Sequence, residues 1–555
     1  MNRALKPASP AAVRNAVARA LLALLLAMPL ISGAQLSTDG GGSSLPQSRP
    51  SDTSCAPSDG GNPGGAQACA EAAPASQDEP DGVGRAAGNP IDVITGNKYQ
   101  NETDLPALPG PLGLEIVRHY NSAQAGTDSQ LGLLGRGWRL SYETDLHANG
   151  DQLLIIQADG KHLSFAAADA GGRLYSHADP ARGTVIALRT PQSPGRQGHR
   201  WTWPDGRELD FDARGKLVQI RLPSGEFLSL TRGLDGELMK VTDPQGRSLN
   251  FEYAPRRSRG FRGVVAITSP LGRFTYSHQN ERTLPGLSNL VAATLPDGTT
   301  RRYHYGADIG ESAPGWPHHL TGITVVGKRP DGTAADAQRL STYAYDAAGR
   351  AVMSVRGTPR QFDASGQLLR GSGIEQVDLR FSAPDRTELT NSLGETTRYR
   401  HTRINGEPRL LEAIGPGCAR CGETNVRYAY DRYGALTEIT RLDPGARPLA
   451  STKIERDALG RVVRESRVDY ANGRPLPERL IARYEYADAS PRPALVARPS
   501  VIPGKEHQIR FSYNDRGQRI EVTESGFSRT TTYAYTAING RSEEHTSELQ
   551  SLTNL

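Results

Sequence analysis

The most informative segment of the chain reads YAYDRYGAL and spans Tyr428–Leu436. The pattern recurs as TYAYDAAGR at Thr342–Arg350 and, more loosely, at Ile454–Arg461 and Phe511–Gly517. In each copy, alternating aromatic or aliphatic residues run into Asp or Asn, and a Gly follows closely. This predicts a strand that enters a tight turn, because Gly adopts positive φ freely and Asp bonds its own backbone. Repetition over hundreds of residues predicts a repeat architecture.

A second form of the unit occupies the middle of the chain, where turn dipeptides are separated by 9 to 11 residues. They are Asp205-Gly206, Arg214-Gly215, Ser224-Gly225, Asp235-Gly236 and Gln245-Gly246. Short strands with turn signals at this spacing are typical of consecutive antiparallel hairpins. No segment after Asn89 shows a sustained helical period. We therefore predict an all-β fold, built as one long antiparallel hairpin ribbon.

Composition agrees with a turn-dense β protein, since the 555 residues include 60 Gly and 38 Pro. A hydrophobic fraction of 37% suits a sheet that keeps one face on solvent or on a lumen. The net charge of +5 is small for this length, and the basic residues are scattered. Because no basic stripe with interleaved aromatic residues is present, the sequence argues against nucleic-acid binding.

The first 34 residues have the form of a secretory signal peptide. Basic residues precede a twelve-residue apolar core at Ala20–Ile31, and Ser32–Ala34 offers a small-residue cleavage site. The alternative is an uncleaved membrane anchor, but the apolar core is shorter than the roughly 20 residues that span a bilayer. We expect an exported chain, secreted or held at the cell surface or in the periplasm, with no transmembrane span after cleavage.

Residues 35–87 are rich in Gly, Ser, Pro and Ala, so we expect a disordered linker. Within it, Cys55 and Cys69 are interpreted either as a disulfide that closes a small loop or as free thiols. Cys418 and Cys421 form a Cys-x-x-Cys pair next to the best repeat unit. Zinc would need further ligands, of which only His401 is near, and redox exchange would need a βαβ context. We therefore interpret this pair as a structural disulfide, or as paired thiols that fix a turn.

The sequence offers little catalytic chemistry, and we predict no catalytic residue, cofactor or metal. Gly322–Lys328 has the spacing of a phosphate-binding loop, but Arg329 stands where Ser or Thr should be, so we expect a strand. His318-His319 is expected to be a solvated turn and not a metal site. Trp201 and Trp203 share one face of a predicted strand, where packing is a commoner role than carbohydrate binding.

An ordered set of motifs then identifies a family resemblance. The motifs are Gly88–Lys98, Pro109–Leu114, Arg118–Ser122 and Leu134–Glu143, followed by the Tyr-Asp-x-x-Gly units. Together they resemble the bacterial Rhs/YD-repeat proteins. The resemblance implies a first domain at 88–160 and a YD-repeat ribbon at 161–540 that spirals into a β-shell. It assigns turn-forming roles to the repeat residues, which include Tyr345, Asp346, Gly349, Tyr430, Asp431 and Gly434. Many Rhs shells are similar at Cys418–Cys421, which favours a structural role for that pair.

The resemblance also implies a function. Rhs shells enclose a toxin domain at the C-terminus, so the expected partners are that domain, absent from this chain, and its immunity protein. Interbacterial competition is the expected role. The alternative is an extracellular adhesion or carbohydrate-binding protein that uses its surface on cell-surface glycans. A free-standing enzyme has no residue set to support it.

Two segments bear on where such proteins are cut. Rhs proteins are similar in an Asp-Pro-x-Gly self-cleavage site at the end of the shell. Asp243–Gly246 has those letters but lies within the hairpin rhythm, so we predict an ordinary turn. Residues 541–555 begin with RSEEHTSELQS, which is a sequencing-library adapter translated as protein. We expect this tail to be non-native, with any toxin and cleavage site beyond residue 540.

Overall fold

The computed structural model describes residues 83–547, with gaps at 127–130, 190–196, 256–260, 281–287, 307–314, 330, 360, 363–367, 372, 526–528 and 536–541. The signal peptide, the linker up to residue 82 with Cys55 and Cys69, and the tail after residue 547 lie outside the described residues. Secondary structure in the described part consists of strands and two three-residue 3₁₀ helices, Ser122–Gln124 and Pro180–Arg182.

The N-terminal domain forms two small antiparallel sheets. β1 (Ala86–Ala87) pairs with β2 (Ile91–Asp92), and a three-stranded sheet contains β3 (Tyr99–Leu105), β4 (Ile116–Asn121) and β5 (Trp138–Leu140). All six residues of β4 are buried, which is unusual for an antiparallel strand and shows that both of its faces are covered.

One continuous antiparallel sheet follows. Its first part contains β6 (Asp145–Asn149), β7 (Gln152–Ile156), β8 (His162–Ala167), β9 (Leu174–Ser176), β10 (Thr184–Arg189), β11 (Gln197–Thr202), β12 (Glu208–Phe211), β13 (Leu217–Arg221), β14 (Phe227–Arg232), β15 (Leu238–Thr242), β16 (Ser248–Tyr253), β17 (Val264–Ser269), β18 (Gly272–Asn280), β19 (Ser288–Thr294), β20 (Thr300–Tyr305) and β21 (Leu320–Val326). Each of these strands pairs with the next one in the chain.

The second part continues the same order. It contains β22 (Gln338–Tyr345), β23 (Ala351–Arg356), β24 (Gln361–Phe362), β25 (Leu368–Arg370), β26 (Ile374–Ala383), β27 (Arg386–Asn391), β28 (Thr396–Ile404), β29 (Glu407–Ile414), β30 (Val426–Tyr430), β31 (Leu436–Leu442), β32 (Pro448–Arg456), β33 (Val462–Ala471), β34 (Arg474–Pro475), β35 (Arg479–Glu485), β36 (Leu495–Pro499), β37 (Glu506–Tyr513), β38 (Arg519–Glu524), β39 (Arg529–Tyr535) and β40 (Ser542–Ser547). Two departures interrupt the sequential pairing: β24 and β25 form a separate hairpin, and β33 pairs with both β34 and β35. The predicted all-β antiparallel ribbon is confirmed.

The alternation within β28 shows how the sheet divides its faces. Thr397, Tyr399 and His401 are buried, whereas Arg398 and Arg400 between them are exposed. Successive side chains of a strand point to opposite faces, so one face packs on the core and the other carries charge. This division explains why the hydrophobic fraction is low although the core is continuous.

The core lies between the N-terminal domain and the buried face of the sheet. Its members run from Val83 to Leu436, and Trp138 of β5 is among its fully buried side chains. Beyond Leu436 the sheet contributes only partly buried residues to this core, such as Ile439 and Ile454. The N-terminal domain therefore shares its core with the part of the ribbon that extends to the start of β31.

Candidate functional site

The repeat turns share one hydrogen-bond pattern, which Asp346 illustrates. Its backbone N–H donates to the carbonyl of Arg350 at 2.9 Å, and the N–H of Gly349 donates to the Asp346 carbonyl at 3.0 Å. The Oδ1 atom of Asp346 accepts from the N–H groups of Ala348 at 2.9 Å and Arg350 at 3.0 Å. One carboxylate thus satisfies two turn amides that the strands leave without partners.

The unit around Asp431 repeats this geometry. Its Oδ1 accepts from the N–H groups of Tyr433 at 2.8 Å and Ala435 at 2.9 Å, and the N–H of Gly434 donates to the Asp431 carbonyl at 3.1 Å. Gly349 and Gly434 have φ values of 79° and 84°, in the left-handed region that favours glycine. The structure therefore places the Asp and Gly of both predicted units at the joints of hairpins.

An arginine four residues after the Asp completes several of these turns. Arg350 donates from Nε to Asp346 Oδ2 at 2.8 Å, and Arg461 does the same to Asp457 at 2.8 Å. Burial raises the pKa of Asp457, but hydrogen bonds from the Arg461 side chain and from turn amides outweigh it and hold that pKa below its usual range. Sequence reasoning missed this role, although Asp-x-x-Gly-Arg recurs along the repeats, at Asp243, Asp346 and Asp457 among other positions.

The tyrosine of the unit ties its hairpin to the preceding strand. The hydroxyl of Tyr345 donates to the carbonyl of Leu320 at 2.8 Å, and that of Tyr430 donates to Leu410 at 2.7 Å. The ring stays on the buried face while the hydroxyl finds a backbone acceptor, as buried tyrosines require. Burial raises the pKa of Tyr345, so its hydroxyl remains a donor.

The strand register also shifts at each unit. A bulge lies at Ala344/Tyr345, at Ala429/Tyr430 and at Ser512/Tyr513, immediately before the turn. A bulge adds local twist and bends the strand. The unit therefore specifies a bent joint as well as a reversal of chain direction.

The turn tips are contact points and not free ends. The N–H of Ala351 donates to the carbonyl of Gly96 at 2.8 Å, which joins the Asp346 turn to the N-terminal domain. In the Asp243 turn, Arg247 donates from Nη2 to the Pro109 carbonyl at 2.8 Å. Asp243 itself is 3% exposed and makes the same turn bonds as Asp346. The Asp243–Gly246 segment is thus an ordinary repeat turn, as predicted.

A fully buried ion pair anchors the N-terminal domain on the sheet. Arg118 of β4 donates to both oxygens of Asp104, at 2.6 Å and 2.8 Å, and Tyr276 of β18 donates to Asp104 Oδ2 at 2.9 Å. The guanidinium lies 5.1 Å from the ring centroid of Trp138 and 5.3 Å from that of Tyr303. Burial lowers the pKa of Arg118, but the Asp104 charge more than offsets this and raises it, so the guanidinium stays charged.

The first described residues lie in a seam beneath the ribbon. Residues 83–89 are all buried, so the prediction of a disordered linker at 35–87 is wrong for residues 83–87: their side chains pack in the core. Arg85 donates to the carbonyl of Pro408 at 2.9 Å, and the N–H of Asn89 donates to Ser354 Oγ at 2.9 Å. We call residues 83–89 the seam segment.

The loop 417–422 closes over the seam segment and contains the predicted cysteine pair. Cys418 and Cys421 are joined by a disulfide with a Cα–Cα distance of 5.0 Å. A Cβ atom on Gly84 would lie 2.6 Å from the Cα of Gly422, so the two backbones touch. Among the described residues, no group of three or more His, Cys, Asp or Glu side chains is arranged to hold a metal. The pair thus lies where a structural disulfide would fix a turn, and its oxidation state in solution stays a prediction.

Two other segments that the sequence raised as candidate sites have roles in the fold. Gly322 lies within β21, so the segment with phosphate-loop spacing is a strand. Trp201 is fully buried and donates from Nε1 to the Arg182 carbonyl at 2.7 Å, which is a packing role.

The prediction that His318-His319 forms a solvated turn is wrong. The two residues are 5% and 4% exposed, and the His319 ring lies 4.8 Å from each of Trp316 and Tyr345. Burial lowers the pKa of each histidine to about 4. The signal available in the sequence was the neighbouring Trp316, which supplies an aromatic surface for the ring.

Residues 88–165 match the family described as "Domain of unknown function (DUF6531)". Double-stranded DNA deaminase toxin A of Burkholderia cenocepacia (strain H111) is 28% identical over 365 residues, which cover 65% of this chain and 19% of that protein. The aligned part therefore spans about a fifth of the length of this curated relative.

Solved structures with a distant likeness include two toxin assemblies. TcdB2-TccC3 without its hypervariable C-terminal region is 11% identical, with a TM-score of 0.31, over 82% of this chain and 28% of that chain. The Photorhabdus luminescens Tc holotoxin pore is 11% identical, with a TM-score of 0.32, over 82% of this chain and 27% of that chain. These scores are low, and the fold is established by the sheet itself. The family match at 88–165 and the toxin relative confirm the predicted resemblance of this chain to toxin-related proteins of the Rhs/YD-repeat type.

Proposed function

We propose that this chain is the wall of an exported toxin-delivery shell, and that the toxin itself is a separate C-terminal domain. The observation that carries the proposal is the repeat joint. Asp-x-x-Gly turns and tyrosine ties recur along one continuous sheet, and their polar groups are engaged in holding the sheet. Side chains committed in this way build a wall and leave little for chemistry.

The relationship to a deaminase toxin supports the delivery role. The alignment covers only 19% of that protein, so its printed activity does not transfer to this chain. On the proposal, the chain has no deaminase activity of its own. The toxin domain, its immunity protein, interbacterial competition and export through a signal peptide all belong to the proposal.

The adhesion alternative depends on accessible aromatic residues. Trp201 is buried, and its partner Trp203 is partly covered by Arg207, whose guanidinium lies 5.5 Å from its ring centroid. This arrangement gives a glycan less flat surface than two exposed indoles would.

The proposal is tested on the gene recovered from the source genome, read continuously beyond Tyr535 and expressed with whatever follows. We expect limited proteolysis to leave a downstream fragment protected, and we expect that fragment to be toxic when it is expressed alone. An unprotected, non-toxic downstream region together with saturable binding on a glycan array would contradict the proposal and support adhesion. In a parallel assay, purified chain ending at Tyr535 should not deaminate double-stranded DNA.

A further inference from the structure

The loop with the cysteine pair lies directly on the backbone of Gly84. A Cβ on Gly422 would lie 2.2 Å from the Gly84 carbonyl oxygen, so these two glycines permit an approach that other residues would block. Arg420 donates to Asn89 Oδ1 at 3.4 Å and lies 3.7 Å from Glu375. The loop 417–422 therefore contacts the seam segment near both of its ends.

The disulfide holds this loop in its closed shape. Inside it, the N–H of Cys421 donates to the carbonyl of Cys418 at 3.1 Å, forming a turn. Without the disulfide, this backbone hydrogen bond would still join the two ends of the turn, and Gly417 would still donate its N–H to Thr397 Oγ1 at 2.7 Å. Arg420 and Gly422 are the two neighbours of Cys421, so the disulfide restrains the positions of both.

The disulfide also borders a cavity. Cys418 and Cys421 are half-buried, and a cavity of about 230 Å³ is lined by Cys418, Ala419 and Arg420 together with Gly88 and Asn89 of the seam segment. A small dithiol can therefore reach Cys418 through the same cavity that borders the seam segment. A disulfide with only a packing role would need no such access.

We propose that the Cys418–Cys421 disulfide is a reducible latch, acted on by dithiol reductants, that holds the seam segment 83–89 under the ribbon. A dithiol thiolate attacks one sulfur to form a mixed disulfide, and its second thiol then displaces the protein thiolate. The latch gains two electrons and two protons as two thiols, and the reductant leaves as its own disulfide. Reduction opens the loop and frees the seam segment.

The proposal assigns a direction to the change between compartments. Exported proteins keep disulfides, whereas the cytosol keeps thiols reduced. The seam is thus held outside the cell and loosened in a reducing compartment. This inference concerns the seam alone, and only its assignment to compartments rests on the export that belongs to the proposed function.

Trypsin cleavage after Arg85 provides the test, because Arg85 is 2% exposed and is cut only when the seam segment opens. The experiment uses the full chain with the substitutions Cys55→Ser and Cys69→Ser, so that Cys418 and Cys421 are the remaining cysteines. Dithiothreitol is the reductant, and the loss of the disulfide is followed by maleimide labelling and mass. We expect the fragment that begins at Ala86 to form about 20-fold faster after reduction, the factor that loop-closure entropy gives for a four-residue loop.

Reoxidation supplies the internal control, and protection of Arg85 should return with it. The Cys418→Ser/Cys421→Ser variant should match the reduced protein; if that variant does not fold, the reversible cycle alone decides. Equal cleavage rates in both redox states would overturn the latch. So would a global loss of the β circular dichroism signal on reduction, because the proposed opening is local.

Discussion

The tyrosine tie allows a sharp test within one hairpin. Replacing Tyr430 with Phe removes the hydroxyl that donates to the Leu410 carbonyl at 2.7 Å and leaves the ring in place. A neutral hydrogen bond contributes about 1 kcal/mol net, and a buried acceptor left without its donor adds to the loss. We therefore expect about 1–2 kcal/mol less local stability, which is roughly a 5- to 30-fold larger open population.

The matched control lies three residues away. Tyr433 belongs to the same turn but is 39% exposed. Its hydroxyl accepts a hydrogen bond from the neighbouring Arg432 side chain and makes no bond to the preceding strand in the part of the chain that the structure describes. Tyr433→Phe should change stability by no more than about 0.5 kcal/mol. The two variants delete the same atom type from one hairpin, so their difference isolates the tie to the preceding strand.

Hydrogen exchange measured by mass spectrometry reports the local stability of this hairpin in the two variants. Peptides that cover 428–442 report the amides of Asp431 and Gly434, which are bonded across the turn. Tyr430→Phe should speed exchange in these peptides and leave those of the N-terminal domain unchanged. If Tyr430→Phe and Tyr433→Phe exchange alike, the hydroxyl does not stabilise the joint and the reasoning fails.

Three further predictions concern the turns, the anchor and the buried histidines. Gly434→Ala should cost more than Gly225→Ala in thermal unfolding: both glycines have positive φ, but a Cβ on Gly434 would meet Arg409 at 2.9 Å, whereas one on Gly225 meets nothing within 4 Å. Arg118→Met should destabilise the chain by about 3–5 kcal/mol in urea unfolding, because it leaves the Asp104 carboxylate buried without its cation, and Asp104→Asn in that background should recover part of the loss. The free energy of unfolding should fall as the pH drops from about 6.5 to about 4, because the pKa of His319 is lowered to about 4 and the unfolded chain takes up protons first; His319→Gln should flatten this fall in unfolding midpoints taken at successive pH values.

The sequence contained enough to predict the joints. Asp431 and Gly434 act on amides and dihedral angles within four residues of themselves, so their roles are local and a repeated pattern reveals them. The alternation in β28 is local in the same sense, because every second residue of a strand shares a face. Fold class and the turn at Asp243 followed from these short-range rules.

The sequence could not predict what each joint contacts. Gly96 contacts the turn that contains Arg350, and Gly84 contacts Gly422. In both cases the partners are hundreds of residues apart in the sequence. These contacts depend on the path of the ribbon through space. That path is the sum of the small bends that the individual bulges introduce. The error at His319 has the same origin, since its ring packs on Tyr345 at the end of β22 and not on its sequence neighbours alone.

The ribbon repeats one turn unit, yet the N-terminal domain packs on one stretch of it. The hydrogen-bond partners of the polar groups explain how both are possible. A turn that satisfies its own amides through Asp346 needs no outside partner and can be repeated at little cost to specificity. The buried pair of Arg118 and Asp104 is the opposite case: Arg118 bonds Asp104 within its own sheet, and Asp104 also accepts from the Tyr276 hydroxyl on the ribbon, so the pair fits at one place. Buried ion pairs add little net stability but strongly penalise wrong pairings. The repeated turns therefore build the sheet, and the singular buried pair selects the stretch of that sheet on which the N-terminal domain packs.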